Sequence, residues 1–263
     1  KNNASTRTLP QKDLFLVSDP VFSKADERLL ENGGSNSGFV TTVLGSFRSF
    51  DSLDSLPRLP ASMDEANSIT QVVSSSVTTA RSGFAANREN VLNAGIADYK
   101  VVHFATHGLL DEKRPELSGI VLSLFDEAGK VQDGGFIRLQ DVYGMNLNAD
   151  LVVLSACDTG LGKEIKGEGL MSLNNAFLQA GAKSVVSSLW RVEDTATKQL
   201  MTDFYRGMAA DGLTSSEALR QAQINLYKDP RFASPFYWAS FTAQGNFSTA
   251  PQFSSRSYVW IYI

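Results

Sequence analysis

The sequence predicts an α/β fold with a mostly parallel central sheet and helices on both faces, and two observations carry that prediction. Short runs of β-branched and aromatic residues alternate along the chain with longer stretches whose apolar residues recur at helical spacing. The strand-like runs are continuously apolar rather than alternating, as strands covered on both faces are. With 263 residues, 43% of them hydrophobic, the chain can build one large core, so a single domain is expected.

Residues 1–13 are polar and read as a flexible N-terminal segment, after which residues 14–22 (LFLVSDPVF) form a buried strand ended by Asp19-Pro20. Residues 27–60, rich in Gly, Ser and Asn, read as a flexible insertion. Ser62 and Glu65 then have capping-box spacing, and Met63, Ala66, Ile69, Val72 and Val73 follow at helical spacing. Asn87 caps a shorter helix that Gly95 ends. Residues 101–108 (VVHFATHG) read as a strand whose carboxyl end is at His107; residues 119–124 (GIVLSL) and 150–157 (DLVVLSAC) repeat the pattern.

Helices over residues 169–180 and 194–208 carry apolar stripes; Gly181 stops the first and Asp194 can cap the second. Residues 184–190 are a further strand, Thr214 and Glu217 open a capped helix, and residues 237–245 fit an edge strand. The domain is therefore placed at residues 14–247, followed by a tail at 248–263.

Acidic residues outnumber basic ones, 28 to 24, for a net charge of -4, so there is no electrostatic footprint for nucleic acid or an anionic membrane surface. No apolar run is long enough for a membrane span, and the first residues lack the apolar core of a secretion signal. One cysteine excludes an internal disulfide, and no Cys/His cluster has structural-zinc spacing. The chain reads as a soluble, cytoplasmic protein without cofactor or metal, and its start at Lys1 reads as excision from something longer.

Ligands of open parallel sheets bind beyond the carboxyl ends of the strands, and His107 and Cys157, fifty residues apart, each terminate a predicted strand. A thiol beside an imidazole is the minimal apparatus for acyl transfer. Gly108 lets the backbone approach a substrate, and its N–H with that of Cys157 could hold an oxyanion. On residue type alone, a lone cysteine in an apolar strand is more often an inert core residue than a nucleophile.

The run of His107-Gly108 at one strand end, then Ser155-Ala156-Cys157-Asp158-Thr159-Gly160, then GEGLMSLNNAFLQAGAKSVVSSLWRVED resembles the CHAT domain, a caspase-like peptidase domain associated with tetratricopeptide repeats. The resemblance extends from about Leu14 to Gly245, including LPRLPASMDEA and PFYWASFTAQG. It implies a caspase-like three-layer sandwich and a cysteine endopeptidase with His107 and Cys157 as dyad and Gly108 at the oxyanion site. Its substrate would be a protein or peptide, and a fused or bound sensor, such as a tetratricopeptide-repeat region or a regulatory protein, would gate it. In separase-like relatives an acidic residue beyond the next strand lines the first specificity pocket; Asp194 is the matching candidate, favouring Arg or Lys before the scissile bond.

Each further residue has a plainer alternative. Asp194 can be an ordinary helix cap; Asp158 can steer a basic substrate or cap a turn; Trp190 and Arg191 can border the pocket or be a core aromatic and a solvated charge. His103 and His107, four apart, would lie about 13 Å apart along a strand, too far for one ion, so His103 reads as a core residue or a supporting one. The glycines after Cys157 lack phosphate-loop spacing. Arg48 and Arg58 in the insertion are candidates for self-processing. A non-catalytic interaction scaffold, or another thiol or metal hydrolase, is the competing reading.

Overall fold

The computed structural model describes residues 9–30, 56–73, 77–109, 118–132, 134–155, 168–190 and 192–254. Its main sheet has six strands in the order β2-β1-β3-β7-β8-β9: β2 is Thr78–Ser82, β1 Lys12–Ser18, β3 Tyr99–Ala105, β7 Leu151–Leu154, β8 Ser184–Ser188 and β9 Phe241–Gly245. All neighbours are parallel except β9, which runs antiparallel to β8 at one edge. A smaller antiparallel sheet, β4 (Gly108–Leu109), β5 (Gly119–Val121) and β6 (Phe136–Arg138), continues from the end of β3.

Residues 119–124 therefore do not supply a parallel strand of the main sheet. Gly119, Ile120 and Val121 are all buried, and burial on both faces produces the same apolar spelling whichever way a strand runs. Removing this strand from the main sheet makes β3 and β7 direct neighbours, with Phe104 beside Leu154.

Both faces of the main sheet are covered. On one, Phe15, Val17, Val102, Phe104, Val152 and Val185 pack with Leu139 and Val142 of α4 (Leu139–Gly144) and with Leu173 and Phe177 of α5 (Glu168–Gln179). On the other, Leu14, Leu16, Val101, Val153 and Val186 pack against α2 (Pro60–Val72), α6 (Asp194–Ala209) and α7 (Ser215–Lys228). Consecutive strand residues thus go to opposite apolar layers, each fully buried aliphatic side chain contributing about 2 kcal/mol. A third cluster, with Val21, Phe22, Leu56, Leu109, Val121 and Phe136, lies under the small sheet.

Short helices complete the order: α1 (Glu27–Leu30), α3 (Arg88–Leu92) and α8 (Pro235–Trp238). Asn87 caps α3 through the Asn90 N–H, and Thr214 with Glu217 forms the capping box of α7. Gly181 has φ 116° and ends α5. Two caps differ from expectation. Helix α2 starts with Pro60 at its first turn and has no side-chain cap, so Ser62 and Glu65 lie inside the helix with both side chains turned inward. Glu193, one residue before Asp194, caps α6 by accepting from the Thr195 and Ala196 N–H groups.

Within the expected insertion, residues 27–30 form α1 and residues 56–59 lead into α2 at Pro60, and residues 248–254 of the expected tail pack back on the domain. Phe253 packs on the second apolar layer, and Ser254 donates to the Asp13 carboxylate at 2.7 Å through its N–H.

Candidate functional site

The chain passes from the main sheet to the small one between Ala105 and Gly108. Thr106 Oγ1 donates to the Val121 carbonyl at 2.7 Å, and the His107 carbonyl accepts from the Val121 N–H at 2.8 Å. That exchange makes Gly108 and Ile120 a non-hydrogen-bonded pair, so the Gly108 N–H is directed away from β5 at the edge of the small sheet.

His107 is fully buried at this crossover. The Phe22 ring lies against its imidazole, centroids 4.7 Å apart, and Nε2 is 2.8 Å from the Pro57 carbonyl oxygen. A carbonyl can only accept, so in the neutral ring Nε2 carries the proton and Nδ1 the lone pair. Phe22 and Pro57 also line a pocket of about 280 Å³, together with Ser23, Ala25, Asp26, Leu56 and Arg58.

An ionic cluster surrounds the Pro57 lead-in. Asp19, fully buried just past the end of β1, receives Arg58 through Nη2 at 2.9 Å and Nε at 3.2 Å, and Arg28 through Nη1 at 3.0 Å. Arg28 also grips Asp26 with two bonds of 2.8 and 2.7 Å, and Arg58 contacts Glu27. The hydrogen bonds to Asp19 raise the Arg58 pKa above its ordinary value. Burial pushes the Asp26 carboxyl up, but the hydrogen bonds and charge of Arg28 outweigh it and hold the group below the ordinary 3.8. Asp19 itself has φ 43°, a left-handed conformation that costs a non-glycine residue about 1 kcal/mol.

Four residues upstream, His103 occupies a different setting. It is fully buried on the face of α2 and α6, with Nδ1 2.9 Å from the Tyr205 hydroxyl and Nε2 3.0 Å from Glu65 Oε1, close but off the line of a good hydrogen bond. Glu65 Oε1 also accepts from the Ser155 hydroxyl at 2.6 Å. Burial, and then the Glu65 charge, push the Tyr205 phenol well above its ordinary range, so the hydroxyl keeps its proton. His103 is a core residue, and among the described residues no group of His, Cys, Asp and Glu could hold a metal ion.

Of the residues expected at the site, His107, Gly108, Trp190 and Asp194 are described, whereas Cys157, Asp158 and Arg191 lie outside the described residues, as does Arg48. Because β3, β7 and β8 are parallel, His107, Ser155 and the segment after Ser188 lie at the same end of the sheet. Trp190 is half-buried, its Nε1 donating to the Phe236 carbonyl at 2.9 Å, and Asp194 is exposed in the first turn of α6. Arg58, read as a cleavage candidate, has its guanidinium held by Asp19.

Sequence reasoning missed Pro57, Phe22, Asp19, Glu65 and Tyr205. A weak signal existed for Asp19, an acidic residue between a strand end and a proline. The others are spelled like ordinary loop or core residues.

This architecture, a mostly parallel six-stranded sheet between helical layers with a histidine at a central strand end, is that of the caspase-like α/β proteins. The Arg-specific cysteine proteinase gingipain R matches it with a TM-score of 0.52 over 92% of this chain and 48% of its own, at 9% identity. The Saccharomyces cerevisiae separase–securin complex matches with a TM-score of 0.43 over 90% of this chain and 12% of its own, at 10% identity. The chain belongs to the CHAT domain family, which matches residues 1–246. Among curated proteins, tetratricopeptide repeat protein 28 of Mus musculus and of Homo sapiens are each 27% identical over 221 residues, covering 72% of this chain. The match takes in only 9% and 8% of those relatives' own lengths.

Proposed function

We propose that this chain is a cysteine endopeptidase acting through Cys157 and His107. The observation that carries the reading is the Pro57 carbonyl on His107 Nε2, which leaves Nδ1 as the basic nitrogen, two residues past the end of β3, the neighbour of the strand that precedes Ser155 and Cys157 in the sequence. Nδ1 takes the thiol proton, the thiolate adds to the scissile carbonyl, and the N–H groups of Gly108 and Cys157 stabilise the oxyanion. The imidazolium gives its proton to the leaving amine, and water, deprotonated by the same imidazole, releases the acyl group.

Cleavage after Arg or Lys is the proposed specificity. Because Glu193 caps α6, the exposed Asp194 carboxylate is not committed to that role and is available to a basic side chain, and Trp190 is proposed to border the same pocket. The gingipain that shares the fold is itself Arg-specific. Asp158 and Arg191 are proposed to border the same pocket. The enzyme would act inside the cell on a protein substrate, under control of a tetratricopeptide-repeat region, as the repeat-bearing relatives suggest.

The complete burial of His107 favours a second reading, a caspase-like scaffold without catalysis. Labelling separates the two, because Cys157 is the one cysteine of the chain. An iodoacetamide probe is expected to modify it rapidly in the native protein and slowly in His107→Ala; a thiol that reacts equally slowly in both would leave the scaffold. A positional scan of fluorogenic peptides should give basic selectivity that Asp194→Ala abolishes, and a preference for acidic or apolar residues would discard the pocket.

A further inference from the structure

We infer that Asp19 and Arg58 are a positioning pair for His107: the buried carboxylate clamps the residue that follows Pro57 and thereby aims the Pro57 carbonyl at Nε2. The inference rests on the reading of His107 as the base, although none of the contacts it is argued from involves Cys157.

The Pro57 carbonyl precedes the first turn of α2 and belongs to no strand, so no ladder sets its direction. What sets it are the anchors on the residues that follow it. The peptide plane that contains this carbonyl also contains the Arg58 nitrogen, and the Arg58 guanidinium is held by Asp19 through both Nε and Nη2, the planar fork that fixes orientation as well as distance. Further along, Ser62 Oγ donates to the Leu59 carbonyl at 2.7 Å and accepts from the Asp19 N–H at 2.9 Å. The first turn of α2 and the end of β1 are thus tied together around the peptide that holds the imidazole.

Asp19 is itself over-determined. Its carbonyl accepts from the Gly83 N–H at 3.2 Å and from Arg28 Nη1 at 2.9 Å, and its carboxylate meets both arginines. A turn at φ 43° alone would be served with less strain by glycine, so the side chain supplies the reason for aspartate here. Its location agrees: Ser18 pairs with Ala105 at the ends of β1 and β3, and Asp19 and His107 lie one and two residues beyond. The remaining charged groups of the cluster, Asp26 and Glu27, complete the surroundings of Arg28 and Arg58.

The chain has two histidines, so long-range proton–nitrogen spectra of the ¹⁵N-histidine-labelled protein resolve the tautomer of each. His107→Asn identifies the His107 signals, and the His103 signals report whether the core is intact. In the wild type above pH 8, His107 is expected as one tautomer with the proton on Nε2. Asp19→Asn keeps the side-chain size, and Asp19→Gly removes the carboxylate while relieving the backbone. Both should give a mixture containing the Nδ1-protonated form and slow Cys157 labelling about tenfold, with His103 unchanged. Arg58→Lys, which keeps the charge and loses the fork, should fall between.

A single Nε2-protonated tautomer with wild-type labelling in both Asp19 variants would overturn the pair, and Asp19→Gly keeps that test open if Asp19→Asn does not fold. Should the wild-type thiol prove inert, the peptidase reading fails while the tautomer measurement still decides the positioning role.

Discussion

His103 and His107 stand four residues apart on one run of chain, are both completely buried, and meet opposite kinds of surroundings. His103 still belongs to β3 and faces the layer of α2 and α6, where the Tyr205 hydroxyl bonds Nδ1 and Glu65 Oε1 lies 3.0 Å from Nε2. His107 lies two residues past the strand, under Phe22, with a main-chain carbonyl on Nε2. Side chains that close a core network make the first imidazole a structural element. A backbone acceptor that selects one tautomer, at the carboxyl end of a parallel sheet, is compatible with the proton transfer proposed for the second. Burial is the same for the two histidines; their partners differ.

The sharpest way to break this contrast is to remove each side in turn. His107→Asn should lower the rate of Cys157 alkylation about 100-fold while costing about 1 kcal/mol of stability in urea unfolding. Glu65→Ala should do the reverse in stability, costing about 3 kcal/mol, because it strands the Ser155 hydroxyl in the interior and removes the carboxylate beside the His103 ring. Equal stability losses in the two variants would erase the distinction. Tyr205→Phe keeps the ring and deletes one bond to His103, so about 1 kcal/mol is expected. A loss of labelling in that variant comparable to His107→Asn would show that the core network also serves the chemistry.

The smallest effect concerns the charged rim beside His107. The Asp26 carboxyl is held below 3.8, so its contribution to stability is complete above that value and is lost as pH falls further, through the lower folded value. Asp26→Asn removes that contribution and should move the acid-unfolding midpoint, followed by circular dichroism, slightly upward. No change would mean that Arg28 finds equivalent support from Asp19 alone.

The strands of the main sheet were legible because double-sided burial spells a continuous apolar run, and residues 101–105 and 184–188 fall where that pattern places them. The same cause hid the direction of residues 119–121, since apolar spelling carries burial and no orientation. Ser62 and Glu65 have the letters of a capping box, yet Pro60 had already opened the helix, and their side chains serve Asp19 and Ser155 instead. At the end of β8, two adjacent acids could each cap α6, and the backbone turn selected Glu193. The edge strand β2, TTARS, lacks an apolar pattern because it is only partly buried, so periodicity could not find it.

By itself, the sequence determined the α/β class, the strand that runs up to Ala105 two residues before His107, and the family signature around Cys157, because these depend on local periodicity and on residue types a few positions apart. Only the tertiary structure decided which nitrogen of His107 keeps its proton, that His103 belongs to a closed core network, and that Asp19 reaches Arg58. Each of those depends on contacts between segments dozens of residues apart, and a carbonyl or carboxylate brought in by folding leaves no mark in the local spelling.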